Sequence, residues 1–297
     1  MFDVIVVGGG PAGLSAALML GRCRRRVLVC DEGKPRNRRS RALHGFLTRD
    51  GTPPLDLNAL GRKELIQYGV EYRNTAALGA TPREGGFAVS LADGRTEHSR
   101  FLLIATGVVD ELPDIPGIAE CYGRSVFHCP YCDGWERRDT RLVALGRGRH
   151  GVPLALSLKT WSHRVVLCTN GSRLDRASAD RLARNDIAVV YEKPLRCAQQ
   201  DGNITRLEFA RRGAIGCDAL FFSTGQHPRC SLAEHLGCAV NRKGTVDTGR
   251  LSDTNVPGVF VAGDASRDAQ FAVVAAAEGI KAAVAINQSL QRGDLQP

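Results

Sequence analysis

The residues in this chain best suited to covalent chemistry lie in "HCPYCDGWE", residues 128–136, where Cys129 and Cys132 stand two residues apart and Asp133 follows at once. That spacing suits an intramolecular redox disulfide, half of a zinc site or two inert thiols, and spacing alone does not choose among them. A redox role requires a thiolate that attacks or leaves and a nearby group to carry the proton, for which Asp133 is the candidate. His128 and Tyr131 are placed either to tune the thiols or simply to pack. A zinc site needs four ligands, and no second C-x-x-C or H-x₃-H accompanies the pair, so no metal is expected. The other eight cysteines, at 23, 30, 121, 168, 197, 217, 230 and 238, show no pairing pattern.

The elements that must position this pair begin at the N-terminus. The apolar run Phe2 to Val7 leads into "GGGPAGLSAALMLGRC", with Gly8, Gly10 and Gly13 at G-x-G-x-x-G spacing, and the next apolar run, "RRVLVCDEG", closes on Asp31 and Glu32. Strand, glycine turn, helix, second strand and acid form a complete βαβ dinucleotide fingerprint. Its glycines permit a tight turn and close approach of a pyrophosphate, and its acid accepts from ribose hydroxyls. The strand-like "RLVALG" from Arg141 repeats the arrangement with Gly146, Gly148 and Gly151, and Arg147, Arg149 and His150 add positive charge. Its following strand ends in Cys168, Thr169 and Asn170 rather than in an acid. "FLLIATG" and "ALFFSTG" each end in Thr-Gly, so Thr106 and Gly107 are expected beside bound nucleotide. "GVFVAGDA" closes on Gly263 and Asp264, ahead of an Ala-rich helix. The fold class is α/β, with two Rossmann-like three-layer nucleotide-binding domains.

Composition narrows the function class. With 43% hydrophobic and 24% charged residues the chain is a folded globular protein rather than a disordered one. No run reaches the about 18 apolar residues of a membrane span, and no leader precedes the first strand, so a cytoplasmic protein without a membrane partner is expected. The net charge of +9 is concentrated: between Arg22 and Arg41 nine basic residues face two acids. No aromatic interleaving accompanies that run, which excludes nucleic acid as a partner and leaves a solvated face, or a dock for an acidic protein.

In their order, "VVGGGPAGLSAA", "LLIATG", "CPYCDG", the second glycine loop and "GVFVAGDA" resemble the thioredoxin-reductase-like flavoproteins, the low-molecular-weight class of pyridine nucleotide-disulfide oxidoreductases. The resemblance covers almost the whole chain. The form "CPYCDGWE" is also similar to that of oxidases acting on small dithiols and of thioredoxin reductase relatives independent of pyridine nucleotide. It implies an FAD-binding domain in two parts, 1–113 and 229–297, with residues 114–228 inserted as a second nucleotide-binding-like domain carrying the cysteines. It further implies that Cys129 and Cys132 form a redox disulfide, Cys132 facing flavin and Cys129 meeting substrate, with Asp133 as acid/base. FAD would lie on Gly8, Gly10, Gly13, Asp31 or Glu32, Thr106, Gly107, Gly263 and Asp264. The family usually has Arg-Gln before its final helix, whereas this chain reads "DAQFAVV", which leaves Gln270 to contact flavin and Phe271 to alter packing.

At the second site, Gly146, Gly148, Arg149 and Gly151 would cradle a pyrophosphate. NADPH-using relatives carry a His-Arg-Arg cluster and a further Arg after the following strand; "CTNGSRL" here retains only Arg173. Neither NADPH nor NADH is specified, and a second FAD is the candidate occupant. Electrons are then expected from a dithiol or from a protein donor such as ferredoxin. The substrate is a small dithiol or disulfide, or a thioredoxin-like protein, in either net direction, and the resemblance implies a homodimer.

Overall fold

The computed structural model describes residues 1–242, 244–266 and 269–295, with the side chain of Arg149 outside that description. The chain divides into two compact units. The first comprises Met1–Arg38, Gly45–Val109 and the segment from His227, and the second Arg39–His44 and Asp110–Gln226.

In the first unit the strand Phe2–Val7 lies at the centre of a parallel sheet. Val27–Cys30 and then Glu71–Arg73 follow on one side, and Thr96–Ile104 and then Val259–Val261 on the other. Numbered along the chain, those five strands stand in the order 3-2-1-4-5, the order of a doubly wound dinucleotide fold. The first half of Thr96–Ile104 also pairs antiparallel with Gly86–Leu91, itself paired with Ala77–Arg83. Helices Pro11–Arg22 and Ala272–Asp294 cover one face of the parallel sheet, their Ala-rich flanks buried with Val4, Val6 and Val29. Gly279 is required there, because a Cβ at that position would sit 2.0 Å from the carbonyl of Ala12. The opposite face buries Ile5, Val7, Leu28 and Leu102 against Phe87, Val89, Leu232 and Leu236. Both faces of these strands are covered, which is why they read as continuous apolar runs rather than alternating ones.

The second unit repeats the first four positions of that order and adds, at the far edge, a strand that precedes the others in the chain. Leu142–Gly146 is central; Val165–Cys168 and Ala188–Val190 lie to one side, and Ala219–Ser223 and Val126–Phe127 to the other, all parallel. Helices Gly151–Leu158 and Arg176–Ala183 supply Val152, Ala155, Leu158 and Leu182 to one face. A three-stranded antiparallel sheet, Arg196–Gln200, Asn203–Phe209 and Gly213–Gly216, covers the other through Cys197, Ile204, Leu207 and Phe209. Each unit is therefore three-layered, and the two together realise the expected fold class. No helix among the described residues is long and apolar enough to cross a membrane.

Candidate active site

Cys129 and Cys132 are joined as a disulfide with their Cα atoms 5.3 Å apart. Cys129 ends an extended stretch and Pro130–Asp133 makes one helical turn, which Pro130 favours because its ring presets φ at the first position. Gly134 closes the turn with no room for a side chain: a Cβ there would lie 2.5 Å from the carbonyl of Pro130 and 2.6 Å from the Trp161 ring. The Trp161 ring meets that of Tyr131 edge-on at 5.4 Å. Tyr131 and Trp135 are 72% and 64% exposed, large for aromatic rings, and the Arg138 guanidinium lies 4.3 Å from the centre of the Trp135 ring.

Asp133 is the group whose acidity the site changes most usefully. Burial, with the neighbouring Glu136 carboxylate second, pushes its carboxyl up from 3.8 to about 7, while His44 and Arg137 draw it partway back. A carboxyl titrating near neutrality both gives and takes a proton at physiological pH, which thiol–disulfide exchange requires. Glu136 is held 3.5 Å from the His44 imidazole. On the other side of the disulfide His128 belongs to a polar cluster: the Tyr122 hydroxyl donates to Asp110 at 2.5 Å, and His128 Nδ1 lies 3.8 Å from the same carboxylate and 3.5 Å from that hydroxyl. The Asp110 side chain is only 4% exposed, so its partners decide how its charge is accommodated. His128 is thus oriented by polar contacts rather than merely packed. His44, Tyr122 and Asp110 carry no motif and are legible only from the fold.

In the first unit the glycine loop has the shape a cofactor requires. Gly8 has φ +111° and a Cβ there would meet the Ala105 carbonyl at 2.4 Å; at Gly13 a Cβ would lie 1.9 Å from the carbonyl of Gly8. Those two glycines allow strand, loop and helix to touch. Gly10 differs: nothing lies within 4 Å of its would-be Cβ, so the loop is open on the side from which a pyrophosphate approaches. The helix beginning at Pro11 has neither a side-chain cap nor an acid in its first turn, leaving its amide donors for an anion. Asp31 lies against Gly9 and accepts from the Tyr72 hydroxyl at 2.7 Å, and Glu32 is 3.5 Å from Arg229 and 3.4 Å from Lys34. Burial and the bond to Asp31 push Tyr72 up to about 12, so it remains a donor. Thr106 accepts from the Cys230 thiol at 3.4 Å, and Gly107, φ +69°, accepts from the amide of Arg229.

Gly263 has φ +84°, and its amide donates to Glu278, a carboxylate in a residue 5% exposed that holds the Gly263–Asp264 turn in place. Arg36 donates to Asp264 at 2.9 Å and to Gln270 Oε1 at 2.6 Å. The Nε2 of Gln270 is buried with no partner among the described residues. Phe271 forms the extended cap of the final helix, which like the first has no side-chain cap and no acid in its first turn. An open glycine loop, two uncapped helix starts and a buried orphan amide are together what an FAD cradle would present.

Within the basic run from Arg22 to Arg41, some residues have acceptors elsewhere in the chain. Arg25 pairs with Asp294 at 2.6 Å, Arg36 is half-buried against Asp264, and Arg39 donates to the carbonyl of Ala119. Arg22, Arg24, Arg26, Lys34, Arg38, Arg39 and Arg41 are exposed.

The second glycine loop borders a cleft of about 560 Å³ at the carboxyl ends of the central strands, lined in part by Gly146, Arg147, His150, Asn170, Lys193 and Glu111. Gly146 and Gly151 pack against each other, each with no room for a Cβ, and Gly148 has φ +50°. Thr169 is buried and occupied with the carbonyls of Ser172 and Val190, whereas Asn170 Oδ1 is buried with no partner among the described residues. Lys193 is a cation at the cleft that no sequence motif marks; Glu111 and Asp114 bring carboxylates to the same cleft. The side chain of Arg149 lies outside the described residues. Among the described residues no His, Cys, Asp and Glu cluster is built to hold a metal.

Comparison with known proteins identifies the family. The model for the pyridine nucleotide-disulphide oxidoreductases matches residues 2–279. "Thioredoxin reductase aclD" from Aspergillus oryzae is 30% identical over 98% of this chain and 96% of its own, and "Thioredoxin reductase tcpT" from Claviceps purpurea 31% identical over 88% and 86%. A 178-residue stretch also matches, at 37% identity, 44% of a longer relative from Arthroderma benhamiae. The crystal structure of HlmI superposes with a TM-score of 0.94 at 36% identity, covering 99% of this chain and 93% of that one.

Proposed function

Because this chain belongs to the pyridine nucleotide-disulphide oxidoreductases and is a thioredoxin-reductase-like, flavin-dependent disulfide oxidoreductase, we propose that its electrons enter from a dithiol or a protein donor rather than from NADPH. The observation that carries this reading is the end of strand Val165–Cys168, where a 2′-phosphate would need paired guanidinium groups. Thr169 is spent on backbone carbonyls there, Asn170 is neutral, and Glu111 and Asp114 line the same cleft. An adenine dinucleotide of another kind, a second FAD among them, is compatible with the second glycine loop, where nothing lies within 4 Å of a would-be Cβ at Gly148. Flavin-to-protein stoichiometry after denaturation tests that occupant: about two flavins support it and about one removes it.

The exchange reaction follows from the disulfide and its neighbours. A substrate thiolate attacks Cys129, the Cys129–Cys132 bond breaks, and Cys132 leaves as a thiolate. The second substrate thiol then attacks the mixed disulfide, releasing oxidised substrate and leaving two thiols on the protein. Asp133 and His128 take up and return the protons. FAD, when bound, supplies the two-electron couple that returns the pair to the disulfide, and the Gly8–Gly13 loop, Asp264 and Gln270 hold it. Exposed Tyr131 and Trp135 offer ring faces to a small dithiol or to the loop of a thioredoxin-like protein. Discharge of the electrons to oxygen makes this chemistry that of a dithiol oxidase; a disulfide acceptor makes it that of a reductase, with ferredoxin as one donor.

A second reading, the ordinary NADPH-driven reductase, is favoured by Lys193 and Arg147 at the cleft and by the names its relatives bear. Anaerobic titration with NADPH, NADH and dithiothreitol, following the flavin absorption band, separates the two. Bleaching by dithiothreitol but not by micromolar NADPH is expected, and rapid bleaching by NADPH overturns the proposal. Gel filtration checks the homodimer.

A further inference from the structure

Asp264 and Gln270 come from the turn and the segment that lead into the final helix, and Arg36 from the loop after strand Val27–Cys30. One nitrogen, Nη1 of Arg36, donates to both, at 2.9 Å to Asp264 Oδ2 and at 2.6 Å to Gln270 Oε1. The guanidinium side chain is only 14% exposed, so its position is set by packing rather than chosen among solvent rotamers. A guanidinium has donors and no acceptor, so of the two ends of the Gln270 amide only the carbonyl can face it. The amide nitrogen must then point the other way, and Gln270 Nε2 is buried with no partner among the described residues. A buried donor left unpaired is destabilising by about 1–3 kcal/mol, and native proteins rarely retain one without a ligand, ion or ordered water to satisfy it.

This donor immediately precedes the uncapped start of helix Ala272–Asp294, whose first-turn amides also lack a side-chain partner. The residue directly before Gln270 is Ala269, which carries no cation to set this orientation. The guanidinium arrives instead from 234 residues away in the chain.

We propose that Arg36 is a positioning residue for the flavin: by engaging the carbonyl of Gln270 it aims the Gln270 N–H at the cofactor, where that donor favours the reduced, electron-rich flavin over the oxidised one. A hydrogen bond directed at a site of developing negative charge strengthens as the charge grows, so it stabilises one redox state more than the other. The inference rests on FAD binding in the first unit and is independent of which donor or substrate the enzyme uses.

The test is the flavin midpoint potential, measured by anaerobic equilibration against a reference dye, in wild type, Arg36→Met, Gln270→Leu and the double variant. Gln270→Leu and Arg36→Met are each expected to weaken the preference for reduced over oxidised FAD about tenfold, a potential about 30 mV more negative for a two-electron couple. Because Arg36 acts through Gln270, the double variant should match Gln270→Leu. Gln270→Glu keeps an acceptor for Arg36 but has no N–H, and is expected to shift the potential in the same direction. If Arg36→Met does not retain FAD, Arg36→Gln, whose amide can also accept and so no longer fixes the orientation of Gln270, takes its place in the cycle, with a shift of the same sign expected. An unchanged potential in the Arg36 variant, or shifts that add in the double variant, overturns the inference. Wild-type protein that binds no FAD overturns the cofactor assignment and the inference with it.

Discussion

Asp133→Asn should change how stability depends on pH in a way no other single substitution at this site does. Burial, then Glu136, raises the Asp133 carboxyl from 3.8 to about 7. Between those two values the folded protein holds a proton that the unfolded chain has released, so stability falls as pH rises from about 4 to about 7 and is level above. A difference of about three pH units corresponds to about 4 kcal/mol, and partial contact with solvent reduces this to about 2–4 kcal/mol. An asparagine in place of Asp133 is neutral at every pH and avoids that loss. The variant is therefore expected to be about 2–4 kcal/mol more stable than wild type at pH 8, with the gain fading toward pH 4. Urea unfolding of both proteins, disulfide intact, at pH 4.5, 6 and 8 measures this, and groups common to both cancel in the difference. The same change removes the proton carrier, so dithiol-driven flavin reduction at pH 7 should fall about 10²–10⁴-fold. A stability offset that is the same at all three pH values would refute the reasoning, since it would mean that Asp133 ionises as freely in the folded protein as in the unfolded one.

Three further outcomes are expected. Cys129→Ser and Cys132→Ser should each retain FAD, seen as an unchanged flavin content, and each abolish flavin bleaching by dithiothreitol; persistence of bleaching in both would exclude the disulfide from the reaction. Gly13→Ala places a Cβ 1.9 Å from a backbone carbonyl, whereas Gly10→Ala meets nothing within 4 Å; the first should lower the melting temperature of the apoprotein, and the second should leave it intact and weaken only FAD binding. His128→Phe should slow reaction of Cys129 with substrate about 10²-fold, read by stopped-flow, and Asp110→Asn should reproduce part of that loss if the carboxylate orients the imidazole.

What could be read from the sequence was what local sterics dictate. A glycine with φ +111° beside a carbonyl, or one whose Cβ would overlap the strand it crosses, constrains residue type at one position, and so both G-x-G-x-x-G loops and their flanking strands were legible. Strands covered on both faces announced themselves as unbroken apolar runs, and the Cys-x-x-Cys turn as a pair near an acid. Polar partners follow another logic. Arg36 reaches Asp264 and Gln270 across 228 and 234 residues, Glu278 reaches back to Gly263, and Lys193 joins a cleft whose loop begins at Gly146. None of these pairings has a spacing rule, because it is the strand order of each unit that brings the partners together. The basic run from Arg22 to Arg41 illustrates the consequence: Arg25, Arg36 and Arg39 each meet an acceptor that the topology delivers and that no spacing in the run announces. Asp133 shows the same division in a single residue. Its place beside Cys132 is written in the sequence, whereas its acidity is set by burial, by Glu136 and by His44 from a segment 89 positions upstream, so the group that makes the disulfide usable at neutral pH is defined by the fold.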